Sequence, residues 1–316
     1  MVNFSNIRTA VIGAGSMGKH HARVYSEISD LAFIVEPNEK LGKEVATKYG
    51  AKWLSNYEDL YDKVDAVSIV VPTTLHREIF EDLCLANINI IVEKPLALSI
   101  EECQSMIEKS KNSNLSLGVG HIERHNEVVK YCKEKITSGF WGNIKSISAR
   151  RFSSFPKRIT DVGVMLDLTI HDVDVISYLL GLKASQVFTL GGTSKNKKYE
   201  DNIFMLLDFP NKITASCQTS WLTPNRVRDL SIISDTHYIE INYLKQEIME
   251  YDTVHFEEPE LIKLDYKEPL RNELIDFLTS IQKSSTPLVS LADGMQALKI
   301  VTAGLESLDK KAPVKL

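Results

Sequence analysis

A lysine stands where a buried strand is predicted to end. The stretch Ile90–Leu98 reads I-I-V-E-K-P-L-A-L, so a short apolar run leads into Glu93 and Lys94, and Pro95 follows. Proline cannot donate to a sheet and holds the residue before it in extended conformations, which gives the Lys94 side chain a defined direction. A residue at the carboxyl end of such a strand lies where open α/β sheets bind ligands. Taken alone, Glu93 and Lys94 fit a solvated strand-to-helix turn equally well.

A carboxylate and an imidazole share one face of a predicted helix further along the chain. Asp167 and His171 are four residues apart in a segment with apolar residues at helical spacing, which Gly181 ends. A carboxylate one turn from a histidine can fix the tautomer of the ring and raise its basicity, as a general base at neutral pH requires. The alternative is an ordinary helix pair, which stabilises a helix by only about 0.2–0.5 kcal/mol.

A glycine-rich turn belongs to the first predicted strand–turn–helix unit of the chain. Ile7–Ile12 is a short apolar run, G-A-G-S-M-G follows at residues 13–18, and apolar residues at helical spacing come next. In this context Gly13 permits the tight turn, Gly15 lets backbone approach a pyrophosphate, and Gly18 lets helix and strand pack closely. The N–H groups and dipole of the helix start attract phosphates. The predicted dinucleotide contacts here are Gly13, Gly15, Ser16, Met17 and Gly18.

An acidic residue after the second predicted strand indicates which dinucleotide binds. Glu36 follows Leu31–Val35 and lies 18 residues after Gly18. A carboxylate at this position accepts hydrogen bonds from the hydroxyls of an adenosine ribose and would repel a 2′-phosphate, so the sequence favours NAD over NADP. The alternative for Glu36 is a surface carboxylate ahead of the Pro37-Asn38 turn.

The elements that must position these residues fall into two regions. A length of 316 residues exceeds that of a usual single core, so we expect two domains. In residues 1–120, six strand-like runs alternate with helical ones, which predicts an NAD-binding Rossmann domain with a doubly wound parallel sheet. Residues 121–316 have several strand-like runs with few helices between them, which predicts an α/β domain with a large, open, mainly antiparallel sheet. We expect this second domain to bind substrate and to oligomerise, and its last helix could pack back on the first domain.

Composition and charge argue against several classes of protein. Hydrophobic residues make up 43% of the chain and charged residues 25%, as in ordinary globular proteins. The net charge of −5 gives no general attraction to nucleic acid, and the sequence has no apolar run long enough for a membrane span. The N-terminus lacks a basic-then-apolar signal pattern, so we expect a cytoplasmic protein. The four cysteines lack metal-site spacing, so we expect reduced thiols and no bound metal.

Basic clusters interrupt the otherwise acidic chain at Arg150-Arg151, at Lys157-Arg158, and at Arg226 with Arg228. Guanidinium groups match the oxygens of phosphate, so these clusters are compatible with a nucleotide-sugar substrate. Each is at least as compatible with solvated charges on strands and loops. A large sheet with one free face also predicts an oligomer, either a homodimer or a homotetramer.

The three motifs together resemble the glucose–fructose oxidoreductase/inositol dehydrogenase/MocA family of NAD(P)-dependent sugar and polyol dehydrogenases. The motifs are the glycines after a strand, Glu93-Lys94-Pro95 after a later strand, and Asp167 with His171 on a helix. The likeness covers essentially the whole chain, and it implies a Rossmann domain followed by an α/β domain with a large open sheet. One departure is Val164-Met165, where many members carry a small residue after glycine.

The resemblance implies roles for individual positions. The signature lysine of the family matches Lys94, and its helical aspartate and histidine match Asp167 and His171. A sugar hydroxyl would lose its proton to His171 while its carbon passes a hydride to the nicotinamide, with Lys94 holding the hydroxyl, and the two roles could be exchanged. His76 would face the cofactor near the nicotinamide, although an ordinary helix-start histidine is the alternative. Cofactor contacts are expected at Pro72, Thr73, His76 and Glu93, and substrate contacts at Lys94, Glu123, Arg124, Asp167 and His171.

A subgroup of the family suggests the substrate. G-H-I-E-R-H-N at residues 120–126, S-W-L-T-P at residues 220–224 and the helix with His171 look like the members that oxidise the C3 hydroxyl of UDP-N-acetylglucosamine-type sugars for glycan synthesis. A free polyol or monosaccharide is the main alternative. An NAD-dependent glycosidase would keep the same residues, whereas an NAD-bound regulator would not need them.

Overall fold

The computed structural model describes residues 4–156, 162–195 and 198–316. The chain divides into two units, Met1–Ile122 with Glu268–Met295, and Glu123–Lys267 with Gln296–Leu316. The predicted basic cluster Lys157-Arg158 lies outside the described residues. In the part of the chain that is described, no helix has both the length and the apolar composition needed to cross a membrane.

The N-terminal part alternates strands and helices, as predicted. Its elements are β1 (Phe4–Ile12), α1 (Ser16–Ile28), β2 (Ser29–Val35), α2 (Glu39–Tyr49), β3 (Lys52–Leu54), β4 (Ala66–Ile69), α3 (His76–Leu85), β5 (Asn89–Glu93), α4 (Ile100–Ser110) and β6 (Leu117–Gly120). Short 3-10 turns occur at Tyr57–Leu60 and Thr73–Leu75.

In the described residues these strands form a six-stranded sheet in the order β3-β2-β1-β4-β5-β6, and every pair is parallel. The strand order reverses between β1 and β4, which confirms the doubly wound topology. All four residues of β4 are buried, as expected for a central strand covered on both faces. Because the strands are parallel, the residues that follow β1, β2, β4 and β5 all lie along one edge of the sheet.

Local sequence signals set the helix ends in this unit. The side chain of Asn38 accepts a hydrogen bond from the Leu41 N–H (3.1 Å) at the start of α2, and Gly50 ends that helix in the left-handed conformation. Ser99 caps α4 in the same way through the Glu102 N–H (3.2 Å). Asparagine and serine are preferred at helix starts because they satisfy N–H groups that have no partner within the helix.

The remaining elements follow in chain order. They are α5 (Glu127–Thr137), β7 (Ile144–Phe152), α6 (Ile170–Leu180), β8 (Gln186–Gly192), β9 (Asn202–Phe209), β10 (Ile213–Ser220), β11 (Val227–Ser234), β12 (His237–Asn242), β13 (Glu247–Asp252), β14 (Glu260–Lys263), α7 (Pro269–Lys283), α8 (Leu291–Lys310) and β15 (Val314–Lys315). Shorter turns occur at Ile122–His125, Met165–Thr169 and Pro210–Lys212.

The second unit contains a large sheet with one face in its core. Its nine strands within the described residues run in the order β14-β13-β12-β11-β7-β10-β9-β8-β15, and only β7 and β10 are parallel. This confirms the predicted large, mainly antiparallel sheet. Along β9 buried and exposed residues alternate, as in a sheet with one covered face. The buried face shares a core with apolar residues of α6, among them Val173 and Ile176.

The sequence did not predict β13, β14 or β15. β13 reads E-I-M-E-Y-D and β14 reads E-L-I-K, so charged residues interrupt the apolar pattern that marks a strand. β14 and β15 are the two edges of the sheet, where charged side chains are common because they discourage pairing with other chains.

The helix α7 belongs to the first unit, to whose core it contributes Leu270, Leu274, Phe277 and Leu278.

Candidate functional site

The glycine turn between β1 and α1 leaves room for a ligand at one glycine only. Gly13 has a φ of +101°, and a Cβ there would lie 2.4 Å from a backbone oxygen of the loop after β4. A Cβ on Gly18 would lie 1.9 Å from the Gly13 oxygen, so helix and strand pack closely only because Gly18 lacks one. At Gly15 a Cβ would meet nothing within 4 Å. Ser16 and Met17 begin α1, which no described side chain caps, so this helix start suits phosphate oxygens.

Glu36 follows β2, and its carboxylate accepts two backbone hydrogen bonds. Oε2 accepts from the Ala14 N–H (2.9 Å) and Oε1 accepts from the Asn38 N–H (3.0 Å). The bond from Ala14 holds the carboxylate beside the glycine turn. Each carboxylate oxygen can accept a second hydrogen bond, so this arrangement fits the ribose hydroxyls of NAD.

The loop after β4 carries three of the predicted cofactor residues. Pro72 is exposed and precedes the turn Thr73–Leu75, and α3 begins at His76. His76 is only 1% exposed, with Nδ1 3.0 Å from the Pro95 oxygen and Nε2 3.0 Å from the Val71 oxygen. The cofactor contacts of these residues stay predictions.

Lys94 directly follows β5, at the sheet edge that also carries the glycine turn and Glu36. The Lys94–Pro95 peptide bond is cis, and Lys94 is half-buried. The Glu93 carboxylate accepts a hydrogen bond from the Lys94 backbone N–H (3.1 Å), and its other oxygen lies 3.2 Å from Nε2 of His21. Burial opposes ionisation of Glu93, but the hydrogen bond with His21 and the charge of Lys94 lower the pKa of Glu93. An ionised carboxylate therefore stands next to Lys94.

Asp167 and His171 lie on a helical segment with an irregular first turn. Asp167 belongs to the π turn Met165–Thr169, whereas His171 lies in α6. A π turn carries one residue more than an α turn, so the segment differs from the regular helix that the sequence predicted. Both side chains are half-buried, and π turns of this kind are frequent at functional sites.

Glu200 holds the start of this helical segment. Its Oε1 accepts a hydrogen bond from the Met165 N–H (3.0 Å), and its backbone oxygen accepts one from the Val164 N–H (2.9 Å). A Cβ on Gly163 would lie 2.1 Å from the Glu200 carboxylate oxygens, so any other residue there would displace this carboxylate. Val164 and Met165, which depart from the family pattern, are fully buried in the core of the second unit.

The predicted substrate residues Glu123 and Arg124 lie in the 3-10 turn Ile122–His125. Arg124 donates two hydrogen bonds to the Asp174 carboxylate, from Nε (2.9 Å) and from Nη2 (2.6 Å), and its guanidinium lies 4.8 Å from the centre of the Tyr178 ring. Glu123 accepts a hydrogen bond from Arg151 (2.9 Å). Both residues therefore contact other charged groups of the second unit, and their part in substrate binding stays a prediction.

A buried cluster of charges in the second unit was not predicted. Arg151 on β7 donates to Glu123 and, through Nε, to Asp172 of α6 (2.9 Å), and it lies directly opposite Arg228 in the β7–β11 pair. Burial raises the pKa of Asp172 although Arg151 opposes this effect. Burial and the neighbouring charges of Arg151 and Arg226 lower the pKa of Arg228 to about 10. The sequence contains the arginines, but it does not reveal the strand register that pairs them.

The predicted site residues thus form two groups, each within one unit. The glycine turn, Glu36, Pro72, Glu93 and Lys94 share one edge of the parallel sheet. Glu123, Arg124, Asp167 and His171 belong to the second unit.

Comparison with known proteins finds matches to both units. Residues 7–121 match the oxidoreductase family with an NAD-binding Rossmann fold, and residues 129–240 match the GFO/IDH/MocA C-terminal domain. The UDP-N-acetylglucosamine 3-dehydrogenase of Acidithiobacillus ferrooxidans is 29% identical over 308 residues, which cover 95% of this chain and 96% of that protein. A solved structure of that enzyme superimposes with a TM-score of 0.91 at 28% identity, covering 98% of this chain and 99% of the other.

Two further similar proteins are named for substrates that carry no nucleotide. The scyllo-inositol 2-dehydrogenase (NAD(+)) of Bacillus subtilis is 27% identical over 334 residues, covering 98% of this chain and 96% of that protein. A structure of levoglucosan dehydrogenase in complex with NADH has a TM-score of 0.90 at 23% identity and covers 98% of both chains, which is a likeness of fold.

Proposed function

Because the chain belongs to the GFO/IDH/MocA family of NAD-binding oxidoreductases, we propose that it oxidises the C3 hydroxyl of a UDP-N-acetylglucosamine-type nucleotide sugar. The product would be a 3-keto sugar for glycan biosynthesis. NAD is the cofactor, and the open backbone at Gly15 and the carboxylate of Glu36 beside it fit this dinucleotide.

One arrangement in the first unit carries the proposal. β1, β4 and β5 are neighbouring parallel strands, so the glycine turn and Lys94 lie at the same edge of the sheet. A cationic side chain at the edge where NAD binds can hold a substrate hydroxyl and stabilise negative charge that develops on its oxygen. Oxidation of an alcohol by a nicotinamide cofactor requires such a group beside the cofactor.

We assign the proton to His171 and the hydride to NAD. The His171 ring would take the hydroxyl proton, and NAD, which the glycine turn and Glu36 would hold, would supply the acceptor for the hydride of the carbon, so that the alcohol would become a ketone. Asp167 would orient the His171 ring. A positioned general base of this kind contributes about 10²–10⁴-fold to the rate. With the roles exchanged, Lys94 would take the proton as a neutral amine and the products would be the same.

Buried guanidinium groups support a substrate that carries negative charge. Among the described residues, no partner lies within hydrogen-bond distance of Arg151 Nη2 or Arg228 Nη1, and both atoms are buried. Unpaired buried donors are costly, and guanidinium N–H groups match phosphate oxygens in particular. A nucleotide diphosphate would satisfy them once a movement of the covering side chains exposes these atoms, whereas a neutral polyol offers no such charge.

A substrate panel tests the proposal. The enzyme is given NAD with UDP-N-acetylglucosamine, its uronic acid, myo-inositol or glucose, and NADH formation is followed by absorbance. We expect the highest kcat/KM with a UDP-sugar and a keto group at C3 of its product. A higher kcat/KM with myo-inositol than with either UDP-sugar would contradict the nucleotide-sugar assignment.

An arginine variant sharpens the same test. Arg228→Gln should raise the KM for the UDP-sugar and leave the KM for NAD unchanged, because it removes the buried Nη1 that has no hydrogen-bond partner among the described residues. Arg150→Gln is the matched control, since Arg150 is exposed and pairs with Asp229 (2.8 Å). Equal KM values for the UDP-sugar in both variants would argue against an anionic group at Arg228.

The second candidate is a free polyol dehydrogenase, which the similarity to the inositol dehydrogenase favours. Net NADH formation separates either dehydrogenase from an NAD-dependent glycosidase, which would release sugar with no net change in cofactor.

The predicted cytoplasmic location stays a prediction.

We also propose that the outer face of the nine-stranded sheet forms a homodimer or homotetramer contact. Five large apolar side chains on this face are between 42% and 52% exposed, namely Leu190, Phe204, Leu206, Ile233 and Leu261. Leu190, Phe204 and Leu206 lie on the adjacent strands β8 and β9, and exposed apolar groups of this kind commonly mark interfaces. Sedimentation equilibrium of the wild type and of Phe204→Glu tests this, and a monomeric wild type would contradict it.

A further inference from the structure

Two buried histidines contact the residues on either side of Lys94. His21 comes from α1 and His76 from the start of α3, and each is 1% exposed. Neither is close to Lys94 in sequence. We propose that His21 and His76 are positioning residues that fix the backbone from which Lys94 extends, an inference that rests on the proposed role of Lys94.

His21 acts on the residue before the lysine. Its Nε2 lies 3.2 Å from the Glu93 carboxylate, whose other oxygen accepts the Lys94 N–H (3.1 Å). Nδ1 of the same ring lies 2.9 Å from the Ser68 hydroxyl, which donates to the Tyr25 hydroxyl (2.9 Å). The Glu93 side chain is thereby connected to polar groups on both β4 and α1. A linked set of buried hydrogen bonds of this kind has few alternative arrangements.

His76 acts on the residues after the lysine. Nδ1 lies 3.0 Å from the Pro95 oxygen and 3.3 Å from the Leu96 oxygen, and Nε2 lies 3.0 Å from the Val71 oxygen. The ring therefore lies between the loop after β4 and the loop after β5, and in its neutral form its single N–H donates to a carbonyl of one of them. Because all of these partners are backbone atoms, the contact controls the path of the chain.

The chemistry of imidazole explains why histidine is used twice. Its two nitrogens lie on opposite sides of a rigid ring, so one side chain can bridge two segments and hold them at a fixed separation. Both nitrogens of each ring face protein atoms and both rings are buried, so neither histidine is placed as the proton acceptor in turnover. Burial lowers the pKa of His76 although its three carbonyl contacts oppose this effect. Burial therefore favours the neutral ring, in which one nitrogen carries the N–H that a carbonyl accepts.

Position matters because catalysis by Lys94 depends on where its ammonium group lies. A displacement of about 1 Å at a reacting group can cost about a hundredfold in rate. Glu93 also has little room to move, since a Cβ on Gly120 of the neighbouring strand would lie 3.2 Å from its Cα and Oε2. Removing either histidine frees one side of this stretch.

The test uses His21→Leu and His76→Leu, with His21→Gln and His76→Gln as conservative variants. Glutamine keeps a hydrogen-bonding amide at either site. His20→Leu is the matched control, because His20 precedes His21 on α1 but is exposed. For each protein, kcat with the UDP-sugar, the Kd for NAD and the rate of Lys94 acetylation by acetic anhydride, followed by mass spectrometry, are measured.

We expect each leucine variant to lower kcat about tenfold to a hundredfold while the Kd for NAD stays within about twofold. The acetylation rate of Lys94 should change several-fold, glutamine should restore part of both quantities, and His20→Leu should match the wild type. Wild-type kcat and acetylation rate in both leucine variants would overturn the proposal. So would a loss of NAD binding parallel to the loss of turnover, since that would assign the histidines to cofactor binding or to the folding of the unit.

The acetylation measurement needs no substrate. If the wild type fails to oxidise any sugar of the panel, the proposed function fails, and the labelling rates still decide whether the histidines position Lys94. If a leucine variant does not fold, the glutamine variant of the same histidine decides, and wild-type values in it would count against the proposal.

Discussion

The two units build their polar sites in different ways. In the first unit Gly13, Glu36 and Lys94 each follow directly after a strand of a parallel sheet, so topology alone brings them to one edge. In the second unit Arg151, Asp172 and Arg228 meet only through the register of β7 with β11 and the packing of α6. A site at the ends of parallel strands can be predicted from short motifs, and a site made by strand register cannot.

The two sites also differ in how charge is held. Near the glycine turn, carboxylates accept backbone N–H groups, as Glu36 does from Ala14 and Asn38. In the second unit, guanidinium and carboxylate groups form buried ion pairs, such as the pair of Arg151 and Asp172, whose side chains are 3% and 1% exposed. Removing one member of a buried pair leaves the other charge buried without a partner. Single substitutions should therefore lower the stability of the second unit more than that of the first.

The largest effect is expected at Arg151. Arg151→Met should lower the free energy of unfolding by about 3–5 kcal/mol, because Asp172 and Glu123 would lose their buried cation. Arg150→Met, on the exposed side of the same strand, should stay within about 0.5 kcal/mol of the wild type. Urea unfolding followed by circular dichroism measures both. Similar losses in the two variants would remove the contrast between buried and exposed charge on β7.

A smaller effect, on cofactor choice, is expected at Glu36. Glu36→Arg should raise the ratio of kcat/KM for NADP to that for NAD by about tenfold or more, or about 1.4 kcal/mol, since a cation would attract the 2′-phosphate that the carboxylate repels. Glu39→Arg is the control, because Glu39 pairs with Lys43 on the exposed face of α2. Unchanged relative Michaelis constants for the two cofactors in Glu36→Arg would refute the ribose assignment.

The smallest effect is expected at Asn38, which serves both the fold and the site. Asn38→Ala removes the cap of α2 and should cost about 1 kcal/mol of stability. The Asn38 N–H that binds Glu36 remains in this variant, so the KM for NAD should not change. Asn38→Asp keeps the cap and should keep the stability. A raised KM in Asn38→Ala would show that the cap and the cofactor site are not separable.

Sequence patterns predicted most of the first unit because each pattern is local. The glycines, Glu36 and Lys94 each lie beside an apolar run that predicts a strand, and parallel topology supplies the rest. The hydrogen bonds of His21 and His76 were not predicted, since they join residues 72 and 19 positions apart in the chain. The sequence placed His76 correctly at a helix start, but it could not show which way the ring faces.

The second unit was predicted only in outline. Strand-like runs in the sequence predicted the large sheet, whereas the charged strands β13 and β14 were missed. The four-residue spacing of Asp167 and His171 predicted a regular helix, but Glu200 binds the Met165 N–H at its start and the first turn is a π turn. Glu200 lies 29 residues beyond His171, so no local pattern could have revealed this contact.

The most direct test of the account compares turnover with cofactor binding in Lys94→Ala and His171→Ala. One variant alters the sheet edge of the first unit and the other the helix of the second. We expect kcat with the preferred sugar to fall about a hundredfold or more in each, because each removes a positioned acid–base or charge-stabilising group. The Kd for NAD, measured by fluorescence titration, should stay close to that of the wild type. Near-normal kcat in both variants would contradict the assignment of hydride transfer to these residues.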